Sequence, residues 1–236
     1  MNVAANPAPR PANLAATSIL DFHDAAVQRL AREFAQEASG EDLLLQRAHR
    51  HLAELLRPVY SVDESRPASV TLRERKGSCS QRIACLESVA RALSIPTRVR
   101  ALRISGSFWY PRFPFWRAFI PRSILLLWPQ FFLGRSWTDF DEIHGSIANL
   151  AAASAGGFTN SGESLFEAVQ HSPVDFFGKT CGLACAPPST DLSKIVLTDN
   201  GFVDTRDEAI ARFGNLYRTM RGRAFEAFFG GRNSIP

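Results

Sequence analysis

The sequence predicts an α+β domain in which N-terminal helices pack on an antiparallel sheet and a C-terminal helical extension follows. Three observations carry this. Apolar residues recur at helical spacing through the first ninety or so positions, runs rich in β-formers occupy residues 98–140, and a helix-start signal reappears at Thr205. With 236 residues the chain is long enough to bury a substantial core. Its 45% hydrophobic and 21% charged residues exclude wholesale disorder, and neither a collagen period nor sustained heptads appear.

The first helix is predicted between Ile19 and Ala38, where Leu20, Phe22, Val27, Leu30 and Phe34 form a stripe and Asp21 supplies an early cap. A second runs from Glu41 through Leu44, Ala48, Leu52 and Leu56 until Pro58 stops it. His49 and His51, two positions apart, project from different faces of that helix and read as solvated rather than as metal ligands. Residues 59–74 look irregular. Ser78 and Gln81 then stand at capping-box spacing, with Ile83, Leu86, Val89, Ala90 and Leu93 as the apolar face behind them, which puts Cys79 in the first turn of a third helix.

That helix ends at Ser94-Ile95-Pro96, and Arg98 to Ile104 alternates as a strand. Ser105 to Arg122 holds seven aromatics and three prolines and reads as a long loop. Ser123–Leu133 and Ser136–Phe140 form a hairpin about Gly134-Arg135. Small and polar residues follow Asp141, so a boundary falls near 145–165, and Thr205 with Glu208 caps a C-terminal helix or pair of helices. The expected organisation is a disordered lead-in over 1–18, a core over 19–150, and an extension over 151–236 that packs on the core.

The net charge, 27 − 23 = +4, is too small to mark a nucleic-acid binder, and no nucleic-acid module is recognisable. The charge is unevenly spread: no acidic residue lies between Glu87 and Asp139, where Arg91, Arg98, Arg100, Arg103, Arg112, Arg117, Arg122 and Arg135 all fall. The most apolar stretch, Phe119–Leu133, is interrupted by Pro121, Arg122, Pro129 and Gln130, so no membrane span is expected. Four cysteines at uneven spacing, with no secretory leader ahead of them, suggest free thiols and a cytoplasmic location. Cys181 and Cys185 lack the second ligand pair that zinc needs, and no cofactor or metal is expected.

Cys79 carries the chemical signal. A thiol at a helix start meets unpaired amides and the positive end of the macrodipole, which favour thiolate and lower its pKa below about 8.5. Cys85, six residues later, points to another face and packs inside.

Gly77-Ser78-Cys79, Arg91 and Ile95-Pro96-Thr97-Arg98 resemble the transglutaminase-like superfamily, with Pro96 and Arg98 lying 17 and 19 residues after the cysteine and Ser94 in place of a usual glycine. Ala68-Ser69-Val70-Thr71-Leu72 resembles the family's lead-in, and Trp128 through Trp137 resembles its strand pair, with Asp141 where the orienting aspartate falls. The resemblance spans about residues 20–145. It implies a papain-like core in which cysteine attacks an acyl carbonyl, histidine moves the proton and aspartate holds the histidine.

The sequence departs from the family at one critical position: Leu126 stands where the histidine belongs, and Gln130 where an acid is common. His144, three residues past Asp141, is the replacement the sequence offers. The implied site is therefore Cys79, Asp141 and His144, with the Cys79 amide in the oxyanion hole.

The implied activity is cysteine-dependent acyl transfer, forming or cleaving an amide through a Cys79 acyl-enzyme, with an acyl donor and an amine or water acceptor. Relatives that form amides from carrier-bound thioesters suggest an acidic acyl or peptidyl carrier docking on the arginine segment, with the aromatic loop taking the acyl chain. The alternative is a catalytically silent binding protein that kept the fold after losing its base.

Overall fold

The place of Cys79 follows from how a helical half meets a four-stranded sheet. A computed structural model describes residues 7–36, 40–153, 157–181 and 191–234. The first half supplies α1 (Ala25–Ala35), α2 (Glu41–Leu55), β1 (Arg57–Pro58), α3 (Ala68–Glu74), β2 (Lys76–Gly77) and α4 (Cys79–Ala92). The sheet and later helices are β3 (Thr97–Ser105), β4 (Ser123–Leu133), β5 (Ser136–Asp139), α5 (Ile147–Ala153), α6 (Leu165–Ala168), β6 (Val196–Val203), α7 (Arg206–Phe213) and α8 (Met220–Phe229).

The cap of α1 is Asp24, whose carboxylate accepts the Ala26 amide at 2.9 Å. Asp21, the expected cap, instead accepts the Ser69 amide at the start of α3. The segment 59–74 is not wholly irregular, since α3 occupies its last turns and buries Ala68 and Leu72 against α4. A seven-residue helix with one apolar pair gives too little periodicity to read from sequence.

The short parallel pair β1–β2 delivers the chain to Ser78. There the capping box forms as expected: Ser78 Oγ accepts the Gln81 amide and Gln81 Oε1 accepts the Ser78 amide. Gly77 is needed at the join, because a Cβ there would stand 2.8 Å from Thr71.

The sheet order is β5-β4-β3-β6, all neighbours antiparallel. Gly134 and Arg135 both take positive φ, +52° and +72°, so the β4–β5 turn has the double left-handed form whose twist suits a hairpin. The extension after residue 150 is not purely helical, since β6 pairs with β3 as an edge strand of the sheet.

The main core joins Ile83, Leu86 and Val89 of α4 to Leu102, Leu126, Trp128 and Phe131 of the sheet. A smaller cluster joins Val99, Ala101, Leu127 and Val203 to Ala209 and Ile210 of α7.

The lead-in departs from the expected disorder over its described part. Residues 11–14 form a 3-10 turn, Arg91 Nη1 donates to the carbonyls of Ala12 and Ala15 at 3.1 and 2.6 Å, and Trp137 Nε1 donates to Pro7. Proline and alanine composition suggested a free tail, whereas the buried guanidinium of Arg91 recruits these carbonyls as the acceptors its burial demands. Among the described residues no helix is long and apolar enough to cross a membrane, and no group of three His, Cys, Asp or Glu could hold a metal ion.

Candidate active site

Cys79 occupies the first position of α4 and is half-buried in the wall of a cleft. Ser78 and Ser80 flank it, Leu126 faces the same space from β4, and Glu64, Trp109 and Arg112 complete much of the lining. The position agrees with the sequence expectation, but the electrostatics do not. Burial pushes the Cys79 thiol up to about 12. Arg82 and the Phe166 amide, which hydrogen-bonds to the sulfur, pull it down, while Glu167 and Glu64 push it up. The helix start alone does not hold a thiolate, because desolvation outweighs it.

Arg82 is fully buried behind the cysteine. Its guanidinium pairs with Glu167, reaches Ser164 Oγ and the Ala53 carbonyl, and stacks 4.5 Å over the Phe166 ring. This fixes α6 against α4 and thereby holds the Phe166 amide at the sulfur.

Asp141 is completely buried beside the sheet. Its Oδ1 accepts Trp128 Nε1 at 2.9 Å, and its Oδ2 lies 3.7 Å from Lys179 Nζ. Lys179 also bridges Asp139 and Glu142 at 2.7 and 2.6 Å. Burial raises the Asp141 carboxyl above its ordinary range, opposed by Lys179. Trp128 follows Leu126 by two positions, so the two side chains share one face of β4. The carboxylate thus holds an indole on the strand where the family pattern would place a histidine two residues earlier.

His144 is half-buried and bonded to His49: His144 Nε2 lies 2.8 Å from His49 Nδ1, and His49 Nε2 lies 2.7 Å from the Phe166 carbonyl. A carbonyl only accepts, so His49 carries its proton on Nε2, its Nδ1 is the acceptor, and His144 donates from Nε2. Any proton that His144 takes must therefore arrive at its Nδ1. Neither His144 nor Asp141 lines the cleft into which Cys79 opens.

The reading of His49 as a solvated residue is corrected. It is 0% exposed and packed against Phe140 and Phe166. The available signal was its place on the Leu45, Ala48, His49, Leu52 stripe of α2; His51, by contrast, is exposed as expected.

Burial lowers His49 to about 3 and His144 to about 4, from an ordinary 6.5. Both stay neutral in the fold but take up protons in the unfolded chain, so their contribution is full above pH 6.5 and lost as pH falls from there toward those values. The melting temperature is expected to drop on acidification through that window. In His49→Gln the slope should be shallower, as measured by thermal unfolding across pH.

Glu64 is the acidic group that sequence reasoning missed, since it lies in a stretch without regular structure. It lines the cleft with Cys79, accepts Ser80 Oγ and lies 3.9 Å from Arg206 Nη1. Burial raises its carboxyl, with Arg206 and Ser80 opposing. Cys85 is buried as expected and donates weakly to the Ala68 carbonyl. Cys181 is a free, exposed thiol, and Cys185 lies outside the described residues.

Five of the eight arginines of the acid-free stretch serve the interior or the sheet. Arg91 binds the lead-in, Arg98 lies between Trp137 and Phe202, Arg100 pairs with Asp199, Arg103 reaches the Phe213 carbonyl, and Arg112 holds Asn160. Arg117, Arg122 and Arg135 remain exposed.

A cysteine at a helix tip, facing an antiparallel strand with a buried aspartate beyond it, is thus set in a fold of helices and antiparallel sheet. Residues 28–142 match the family model of the transglutaminase-like superfamily, and that segment carries most of α1 and everything from α2 to β5. A crystal structure from Cytophaga hutchinsonii, named provisionally as a cysteine protease, is similar at 19% identity with a TM-score of 0.41, over 54% of this chain and 39% of that one. The chain thus spans well under half of that protein's length. No curated protein matches it.

Proposed function

We propose that the protein transfers acyl groups through a thioester on Cys79, from an activated donor to an amine or water. The observation that carries this is the cysteine at the first position of α4, opening into a cleft beside Leu126.

With leucine at the family histidine position, the acid facing the cleft supplies the proton acceptor. Cys79 Sγ attacks the acyl carbonyl, the new carbon–sulfur bond forms, and the thiol proton passes to Glu64. The Cys79 amide, at the start of the helix where no intrahelical acceptor exists, meets the oxyanion. The intermediate collapses with loss of the donor's thiol, which takes the proton from Glu64. Amine or water then attacks the acyl-enzyme, gives its proton to Glu64, and Cys79 leaves with that proton.

Burial raises the Glu64 carboxyl, which makes it a better proton acceptor than an ordinary carboxylate. Asp141 positions the β4 wall through Trp128, and His144 acts with His49 behind Phe166. The leaving group of a thioester is good enough for this weak apparatus, and an unactivated amide is not. An acidic acyl or peptidyl carrier is the donor that suits the basic chain.

The silent-binder reading is favoured by the same Leu126 and by the protonated thiol, so the test must separate the two. Incubation with an acyl thioester, followed by intact-mass analysis, is expected to show one acyl group on wild type and none on Cys79→Ala. Glu64→Gln is expected to slow acylation ~10²-fold, the usual worth of a positioned base. Absence of acyl capture by the wild type across donors would establish the silent binder.

A further inference from the structure

The Cys79 cleft does not end at Leu126. Tyr60, Glu64, Trp109, Ile124 and Leu125 line both it and a second, apolar pocket formed by Phe113, Ile120, Leu216 and Phe225. That pocket in turn shares Phe119, Arg221 and Phe225 with a groove at the surface, where Trp116, Phe228 and Phe229 meet Arg232. The three spaces adjoin in series through these shared walls, from the sulfur to an aromatic rim.

Several features build this passage. The aromatic loop is drawn closed at its neck, where the Gly106 amide donates to the Arg122 carbonyl at 3.0 Å and a Cβ on Gly106 would stand 1.9 Å from the Pro121 oxygen. Helix α8 roofs the passage. Glu226 fixes it by accepting Ser61 Oγ and the Val62 amide at 2.9 and 2.8 Å, and Phe225 and Phe229 pack edge-on against Phe113. Gly222 lets α8 approach, since a Cβ there would stand 1.9 Å from the Leu216 oxygen.

We infer that this passage is a binding site for a long-chain acyl group, with the acyl carbonyl at Cys79 and the hydrocarbon running beneath α8 toward the Trp116 and Phe228 rim. The inference rests on the acyl-transfer reading and adds the substrate class. A peptide is the poorer occupant, because it would bring an amide donor and a carbonyl into the passage at every residue, and the middle section is walled chiefly by Phe113, Ile120, Ile124, Leu125 and Phe225. A hydrocarbon has no such groups to satisfy. Ser78 and Ser80 stand at the sulfur end and Arg232 at the rim, while Ser61, Glu64 and Arg221 also border the middle pocket, whose remaining wall is mainly apolar.

The test uses full-length protein and separates the passage from the chemistry. Cys79→Ala is titrated with the fluorescent fatty acid cis-parinaric acid, then challenged with dodecanoate or butyrate. Each buried methylene contributes about threefold or more in affinity, so dodecanoate is expected to displace the probe at least ~100-fold more effectively than butyrate.

Ile124→Trp, which places an indole at the junction of cleft and pocket, is expected to abolish probe binding. It should also lower the ratio of dodecanoyl to acetyl transfer onto Cys79 from the matching thioesters at least tenfold. Phe225→Arg, at the other end, places a charge in the pocket and should also abolish probe binding. Equal displacement by the two acids, or undiminished probe binding by both variants with wild-type melting temperatures, would overturn the passage. Chain-length-dependent binding without any acylation of Cys79 would leave the passage standing and overturn the acyl-transfer reading instead. Acylation with no preference between acetyl and dodecanoyl donors would do the reverse.

Discussion

Leu126→His is expected to speed acylation of Cys79 by ~10², the lower range for a positioned general base. Leu126 is 8% exposed, lines the cleft with the sulfur, and pairs across the strands with Leu102, so its replacement changes the cleft wall without touching the helix tip. An imidazole there would offer the thiol an acceptor, and the resulting ion pair would hold a thiolate that burial now prevents. Alkylation by iodoacetamide measures this directly. Wild-type Cys79, pushed up to about 12, should react slowly at neutral pH and faster as pH rises, whereas the variant should react fast near pH 7. Identical alkylation profiles would show that position 126 cannot serve the sulfur. The cost in stability should be ~1–3 kcal/mol, that of a polar ring in place of a buried leucine.

Arg206→Ala should be the most destabilising single change. Arg206 opens α7, is 1% exposed, and donates from Nε to Glu87 Oε1 at 2.5 Å, where Glu87 is 0% exposed in the middle of α4. The same guanidinium reaches Ser80 Oγ at 3.0 Å and the Leu127 carbonyl at 3.3 Å. It ties the cysteine helix, the central strand and α7 together. Removing it strands a carboxylate whose Oε2 already has no hydrogen-bond partner. Loss of one member of a buried pair costs ~3–5 kcal/mol, to be read from urea unfolding. The double change Arg206→Met with Glu87→Leu should recover most of that loss, because the expense lies in the abandoned charge rather than in the missing bond. A double variant no more stable than Arg206→Ala would refute that account.

Much of the architecture was legible in the sequence because its signals are local. The capping box at Ser78 and Gln81, the two-residue turn at Gly134-Arg135 and the stripe on α2 each depend on neighbours within a few positions, and each formed. What failed to show depends on distant contacts. His49 reads as polar on its own, and only the Phe166 carbonyl and His144, from remote segments, make its burial tolerable. Strand β6 pairs with β3 across almost a hundred residues, so nothing near Val196 announces a sheet partner. The site divides the same way: the place of Cys79 was visible in its cap. The height of its pKa was not, since it reflects the surrounding mass of protein together with Arg82, Glu167 and Glu64.

Arg91 bears on what can be cut away. Its guanidinium sits 2% exposed, sharing five bonds among the carbonyls of Ala12, Ala15, Thr97 and Asp204 and the Thr97 hydroxyl. The stretch that matches the superfamily, 28–142, contains the cation but neither its upstream nor its farthest downstream acceptors. It also lacks β6 and Arg206. Excising that stretch would leave a cation and a carboxylate marooned inside a sheet with one edge stripped. The segment that matches the superfamily is therefore not expected to fold on its own, because the flanks supply acceptors and a strand that its interior needs.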